Sequence, residues 1–420
     1  MAQITTPRGT RDVLPGEVER WQWVEQVFRQ VAGSYGYREL RTPIFEHTEL
    51  FTRGIGQGTD IVEKEMYTFV DKGNRSLTLR PEGTAPVVRA FLEHRMYGNP
   101  EPSKLYYIGP MFRYERPQTG RYRQFHQFGA ELLGVGEPLG DVELILMVMD
   151  FYRALGLQDC TLVINSIGCP ECRAEYIQKL LAFLADKLDL FCADCQRRYE
   201  QNPLRVLDCK EASCKEQLAT APLLKDYLCQ ECKDHFQEVL TGLDDLGEPY
   251  RINPYLVRGF DYYTRTVFEI TSSLLGSQDA LGGGGRYDRL VEESGGPSTP
   301  AVGFAAGMER VLLALEKSQG EQEAPLACQV YLVVSGEPVR RAAMRTLFYL
   351  RRHGVATEMS YGPRGMKGQF KSANRLGARF VVVYGEAEYQ QGQVILKDMQ
   401  TGQETLVSEA QLLEELQQRL

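Results

Sequence analysis

The apolar positions change their period along the chain, and the changes divide it. From Glu17 to Tyr35, the residues Trp21, Val24, Val27, Phe28 and Val31 recur at helical spacing, and Gly36 closes the run. This predicts an amphipathic N-terminal helix. β-rich runs come next at RTPIF (41–45), MYTFV (66–70), SLTLR (76–80) and KLYYIG (104–109). Two further arms, FRYE (112–115) and RQFHQFGAE (123–131), flank a turn-like PQTG at 117–120 and predict a hairpin. Helical spacing returns from Asp141 to Leu155. Strands that do not alternate with helices predict an α+β domain built on an antiparallel sheet.

Residues 169–240 read differently, as polar helices that hold eight of the ten cysteines. Strand-like sequence resumes at TVFEI (266–270). The glycines of 282–285 then precede AVGFAAGMERVLLAL (301–315), which starts with small residues and becomes helical. The stretch 169–240 is therefore expected to be a helical insertion within a first domain spanning 1–325. EKSQGEQEAP (316–325) lacks apolar periodicity and reads as a linker. Beyond it QVYLVVS (329–335), a helix over 338–353, VATEMS (355–360), a helix near 367–376 and FVVVYG (380–385) alternate. That order predicts a second, α/β domain over 327–420 with a mainly parallel sheet.

Composition changes this picture little. An apolar content of 43% and a charged content of 25% fit an ordinary globular protein. The first residues carry no apolar core of signal-peptide length. No run approaches the roughly 20 apolar residues of a membrane span. A cytoplasmic protein without membrane contact is expected. The formal charge of −8 argues against non-specific coating of nucleic acid. Residues 337–379 nevertheless hold ten Lys or Arg against two Glu. A solvated helix face and a contact with RNA phosphates are the two readings of that run, and its excess in an acidic chain favours the second.

Arg113, Arg116, Arg121 and Arg123 crowd the hairpin at 112–131, next to Glu115 and Glu131. Arginine is a planar fork that keeps its charge, so the cluster suits a polyphosphate; a surface ion-pair network is the alternative. A second cluster, LVRGFDYYTRTVFE (256–269), places Arg258, Asp261, Tyr262, Tyr263 and Arg265 before a strand. The glycines of LGGGGRYDRL (281–290) would let a backbone approach a ligand closely. Arg310 lies in the third element, GFAAGMERVLL. Neither a phosphate-binding G-x-x-x-x-G-K-[ST] nor a strand followed by G-x-G-x-x-G is present. Any nucleotide site must then be made of arginines on a sheet.

These stretches carry a resemblance. FRYERPQTGRYRQFHQ resembles the motif 2 hairpin of class II aminoacyl-tRNA synthetases, AVGFAAGMERVLLAL their motif 3, and YRELRTPIFEHTELF, around Pro43, their dimer-forming motif 1. LRPEGTAPVVRA (79–90), RGFDYYTRT and LGGGGRYD are similar to signatures of the histidyl-tRNA synthetases, and the resemblance extends to KGQFKSANRLGARFVVVYGE (367–386). Phe260 departs from it, standing where leucine is expected. The resemblance implies a class II catalytic domain, a C-terminal anticodon-binding domain, a homodimer, and tRNA(His), L-histidine, ATP and magnesium as partners. It implies Arg113 and Arg258 as catalytic residues, with Arg113, Arg121 and Arg310 on ATP. Glu82, Thr84 and Gln127 would surround the α-amino group of histidine. Arg258 would take its carboxylate, and Glu131, Tyr262 and Tyr263 would line the side-chain pocket, with Glu131 and Tyr263 facing the imidazole. A non-catalytic relative, the regulatory subunit of ATP phosphoribosyltransferase, is the competing expectation. It generally lacks parts of these signatures and the C-terminal domain.

The cysteines stand outside that resemblance. Cys169 and Cys172, Cys192 and Cys195, Cys209 and Cys214, and Cys229 and Cys232 form four close pairs. In a cytosolic chain such pairs suit a structural zinc. Reduced thiols in a helical insertion are the other reading, and spacing leaves both open.

Overall fold

In the computed structural model, which describes residues 4–56, 59–276, 279–320 and 328–420, the apolar stripe of the first helix decides what covers the sheet. Helix α1 (Val18–Ser34) buries Trp21, Val24, Phe28 and Ala32. After β1 (Arg38–Glu39), β2 (Phe45–His47) leads into α2 (Thr48–Gly54) and pairs with β4 (Ser76–Leu79), which also pairs with β3 (Tyr67–Val70). Helix α3 (Thr84–Glu93) follows. A hairpin forms from β5 (Ser103–Phe112) and β6 (Gln124–Leu133); its first arm is the expected KLYYIG strand extended to Phe112, while residues 113–115 of the expected arm lie outside the strand, and α4 (Pro138–Ala154) comes next. Strand β7 (Thr161–Ser166) and β8 (Tyr250–Ile252) bracket α5 (Pro170–Ala185), α6 (Ala193–Gln201), α7 (Ala212–Leu218) and α8 (Gln230–Asp245). The chain then forms β9 (Thr264–Thr271), β10 (Ala280–Arg286), α9 (Leu290–Glu293), β11 (Ala301–Gly307) and α10 (Met308–Gln319).

Eight strands make one sheet in the order β1-β5-β6-β11-β10-β9-β7-β8. Its two end pairs are parallel and the five inner pairings antiparallel. One apolar cluster joins α1, α4, part of α8 and α10 to the sheet through Phe28, Phe128, Phe151 and Phe304. A second joins the sheet to α3, the insertion and the 256–263 segment. The glycine run lies inside β10 rather than in a loop. Arg286, which ends it, is fully buried and donates to Asp141 of α4 at 2.5 Å and to the backbone oxygens of Val135 and Glu137. Burial works against the Asp141 charge, but the Arg286 guanidinium and His235 hold its pKa below the usual carboxylate value.

By contact the chain divides into Met1–Gln322 and Glu323–Leu420. In the second unit β12 (Val330–Val334), α11 (Glu337–Arg352), β13 (Thr357–Met359), α12 (Met366–Arg375) and β14 (Phe380–Tyr384) occupy the predicted alternating positions. The periodicity missed the elements after β14, namely α13 (Glu386–Gln390), a hairpin of β15 (Gln393–Asp398) and β16 (Glu404–Ser408), and α14 (Leu412–Arg419). The sheet order is β13-β12-β14-β15-β16, parallel among the first three strands and antiparallel beyond. Leu332 and Val382 face α11 and α14, while Val333 and Val381 pack with Ala373 of α12 on the other side. Alternation along fully buried strands thus puts helices on both faces.

Candidate active site

Side-chain space on the sheet comes from glycine. Glu131 of β6 stands opposite Gly303 of β11, and a Cβ at Gly303 would lie 1.7 Å from the Glu131 Oε2. A Cβ at Gly283 of β10 would lie 2.8 Å from Arg258 Nη1. The glycines clear the strand surface so that a carboxylate and a guanidinium from other segments can lie on it.

Glu131 is fully buried and accepts hydrogen bonds from the hydroxyls of Tyr287, at 2.5 Å, and Thr84, at 2.7 Å. Burial pushes its pKa up to about 8 in spite of both bonds. Glu82, also buried, accepts from the backbone N–H groups of Thr84 at 2.6 Å and Ala85 at 2.8 Å, at the start of α3. Burial likewise raises its pKa. Tyr107, Tyr262 and Tyr263 are buried around these carboxylates, and desolvation pushes their hydroxyl pKa values up. The Gln127 side-chain oxygen and Arg258 Nε are buried without a hydrogen-bond partner among the described residues. Buried polar atoms seldom stay unpaired, so such atoms mark room for a polar ligand.

The arginines of the hairpin separate. Arg113 donates from Nε to the Pro81 oxygen at 2.8 Å, and its guanidinium lies over Phe125 and Phe260. Phe260, the departure from the expected leucine, also stacks on Tyr262 with 5.1 Å between ring centroids. Arg121 lies 3.3 Å from Glu115, and Arg113 lies 3.9 Å from it. Burial and then the neighbouring Arg121 charge lower the pKa of Arg310 on α10. Arg258 donates to Glu269 at 2.9 Å. Arg123 instead turns onto the Tyr114 ring, 3.7 Å from its centroid, and Arg116 is exposed. A cavity of about 690 Å³ opens beside Arg113, Glu115 and Arg121, walled on its other side by Arg198, Arg205 and Lys210 of the insertion. Arg258 and Arg310 do not line it.

Glu82, Thr84, Glu131, Tyr262 and Tyr263 therefore come together, with Gln127 on the same strand as Glu131. The hydroxyl bonded to Glu131 is that of Tyr287, which sequence reasoning missed although it lies just past the glycine run. Thr84 also bonds Glu131, linking the two ends of the expected pocket. In the C-terminal unit Arg351 is tied to Glu358 and the Thr357 oxygen. Lys367, Lys371 and Arg375, four residues apart on α12, are exposed. The eight paired cysteines gather into two groups of four. No helix among the described residues is long and apolar enough to cross a membrane.

An antiparallel sheet that presents an arginine hairpin, followed by a small-residue strand feeding an arginine-bearing helix, is the architecture of a class II aminoacyl-tRNA synthetase. Residues 9–311 match the family described as histidyl-tRNA synthetase, and residues 329–419 match the anticodon binding domain family. The histidine–tRNA ligase of Desulforamulus reducens is 54% identical over 409 residues, covering 97% of this chain and 98% of that protein. The crystal structure of apo histidyl-tRNA synthetase from S. aureus is 42% identical, covers 99% of this chain and 100% of its own, and superposes with a TM-score of 0.84. A Bacillus halodurans chain described as an ATP phosphoribosyltransferase regulatory subunit/histidyl-tRNA synthetase shares the fold, with a TM-score of 0.67 at 22% identity over 91% of this chain and 98% of that one. The chain belongs to the histidyl-tRNA synthetase family.

Proposed function

We propose that the protein is a working histidine–tRNA ligase. A carboxylate oxygen of L-histidine attacks the α-phosphorus of ATP, forming histidyl-adenylate and releasing pyrophosphate. The terminal ribose hydroxyl of tRNA(His) then attacks the carbonyl carbon, and AMP leaves. The first step needs alignment and charge stabilisation rather than a protein nucleophile. Arg113 holds the α-phosphate, Arg121 and Arg310 the outer phosphates, and Arg258 bridges the histidine carboxylate and the α-phosphate. Two arginines that repel one another, as Arg121 and Arg310 do, are relieved by a polyanion. Magnesium enters with ATP, and Glu115 and Glu269 are the carboxylates beside these arginines.

Glu82, Thr84 and Gln127 take the α-amino group. Glu131 takes one imidazole nitrogen, with Tyr263 and Tyr287 beside it. One observation carries the reading: a fully buried carboxylate is held at the end of a tyrosine-lined site where the Gln127 oxygen and Arg258 Nε lack partners among the described residues. Such a pocket rejects amino acids that leave its polar groups unpaired. The regulatory-subunit reading is disfavoured by retention of Arg113, Arg258 and Glu131 together with the C-terminal unit.

The first domain, 1–325, supplies activation, and 327–420 reads the anticodon, with Lys367, Lys371 and Arg375 on RNA phosphates. A second copy docks on the exposed Ile44, Phe45, Phe69 and Val70 of the small sheet, within and beside the motif 1 segment. We place the enzyme in the cytoplasm. Charging of a tRNA(His) transcript with labelled histidine tests the whole reading. Charging confined to histidine supports it, and folded protein that charges no tRNA refutes it.

A further inference from the structure

The insertion brings eight cysteines together in two sets. Cys169, Cys172, Cys229 and Cys232 form one, and Cys192, Cys195, Cys209 and Cys214 the other; within each set all four sulfurs lie within 4.8 Å of one another. A tetrahedral ion with metal–sulfur bonds of about 2.3 Å holds its sulfurs roughly 3.8 Å apart. The Cys169 and Cys172 sulfurs are 3.5 Å apart, and those of Cys192 and Cys209 are 3.8 Å apart. All ten cysteines of the chain are free. The spread in each set leaves room for one ion and none for a multi-iron cluster.

Two of the sulfurs accept backbone hydrogen bonds. The backbone N–H of Cys192 donates to Cys214 Sγ at 3.3 Å, and that of Cys229 donates to Cys172 Sγ at 3.0 Å. Cys169, Cys192 and Cys229 stand at the N-caps of α5, α6 and α8, where the helix dipole favours negative charge. We propose that residues 169–232 bind two structural zinc ions, one on each set of four thiolates, the second nested inside the loop that the first closes. Neither ion takes part in the reaction. Both tie the helices of the insertion to one another, and those helices support the substrate segment. Arg173 donates to the Tyr263 oxygen at 2.9 Å, Arg205 to the Gly259 oxygen at 2.9 Å, and Asn202 to Asp261 at 2.5 Å.

The test is elemental analysis of the full chain, produced with zinc in the medium and purified without chelator. The expected result is two zinc per chain, both released when the thiols are blocked with a mercurial. Cobalt exchanged into the protein should give the intense visible bands of tetrahedral thiolate coordination. Cys172→Ser and Cys195→Ser should each retain one metal. If either variant fails to fold, the metal count and cobalt spectrum of the wild type decide. Folded protein with no metal and eight titratable thiols in the insertion overturns the proposal. One zinc per chain overturns the two-site assignment, and iron in place of zinc overturns the metal identity. None of these readouts depends on aminoacylation, so their failure is distinct from failure of the functional reading.

Discussion

Glu131→Gln keeps the size of a fully buried side chain and removes its titration. Burial raises the carboxyl pKa from 4.5 to about 8 in the folded chain. A carboxyl raised in this way binds a proton in the folded state that the unfolded state releases. Its contribution to stability is complete below the unfolded value and is lost as pH rises to the folded one. At about 1.36 kcal/mol per pH unit, the loss reaches roughly 5 kcal/mol above pH 8, of which about 2 kcal/mol is gone by pH 6. The variant should therefore gain roughly 2–3 kcal/mol on the wild type between pH 6 and pH 8.5. Urea denaturation of both proteins at the two pH values measures this, and taking the difference cancels every other titrating group. The same substitution should weaken histidine binding by about 10-fold, the worth of a buried hydrogen bond, and leave ATP binding nearly unchanged. Parallel stability profiles would refute the raised pKa. Unchanged histidine affinity would mean that another group reads the imidazole.

Other substitutions probe the same geometry. Arg113→Ala should slow adenylate formation by about 3 kcal/mol of lost charge stabilisation, and Arg113→Lys should recover little, since a point charge does not replace the fork; single-turnover kinetics decide this. Arg286→Met leaves Asp141 buried without its main partner and should destabilise the catalytic unit by about 3–5 kcal/mol in chemical denaturation. Replacing Lys367, Lys371 and Arg375 by Gln should raise the KM for tRNA and lower the salt slope of tRNA binding by about 2–3, with histidine activation unaffected; an unchanged slope would remove α12 from the RNA contact. Phe45→Asp should shift the protein from dimer to monomer in light scattering, and a dimer that persists would move the interface elsewhere.

Much of the fold is legible along the chain because it rests on local periodicity. The stripe of α1, the second hairpin arm β6 and the alternation from β12 to β14 all lie where their apolar spacing puts them. The strand character of Gly282–Gly285 is not legible. Glycine has poor strand propensity, and at Gly283 the space is taken by the Arg258 side chain, which arrives from another segment. Tyr287 escapes for the same reason, since its partner Glu131 is 156 residues away. Short strands β7 and β8 give weak patterns, and they pair with one another across the insertion. Four cysteine pairs are plain in sequence, but which pairs share a site depends on how α5 to α8 pack.

Histidine activation at this site is proposed to depend on Arg258. Histidine-dependent exchange of labelled pyrophosphate into ATP, measured on wild type and Arg258→Ala without tRNA, tests it most directly. The expected result is exchange that requires histidine in the wild type and falls by two orders of magnitude or more, about 3 kcal/mol, in a folded Arg258→Ala protein. Folded wild type without exchange, or Arg258→Ala that exchanges at the wild-type rate, would contradict it.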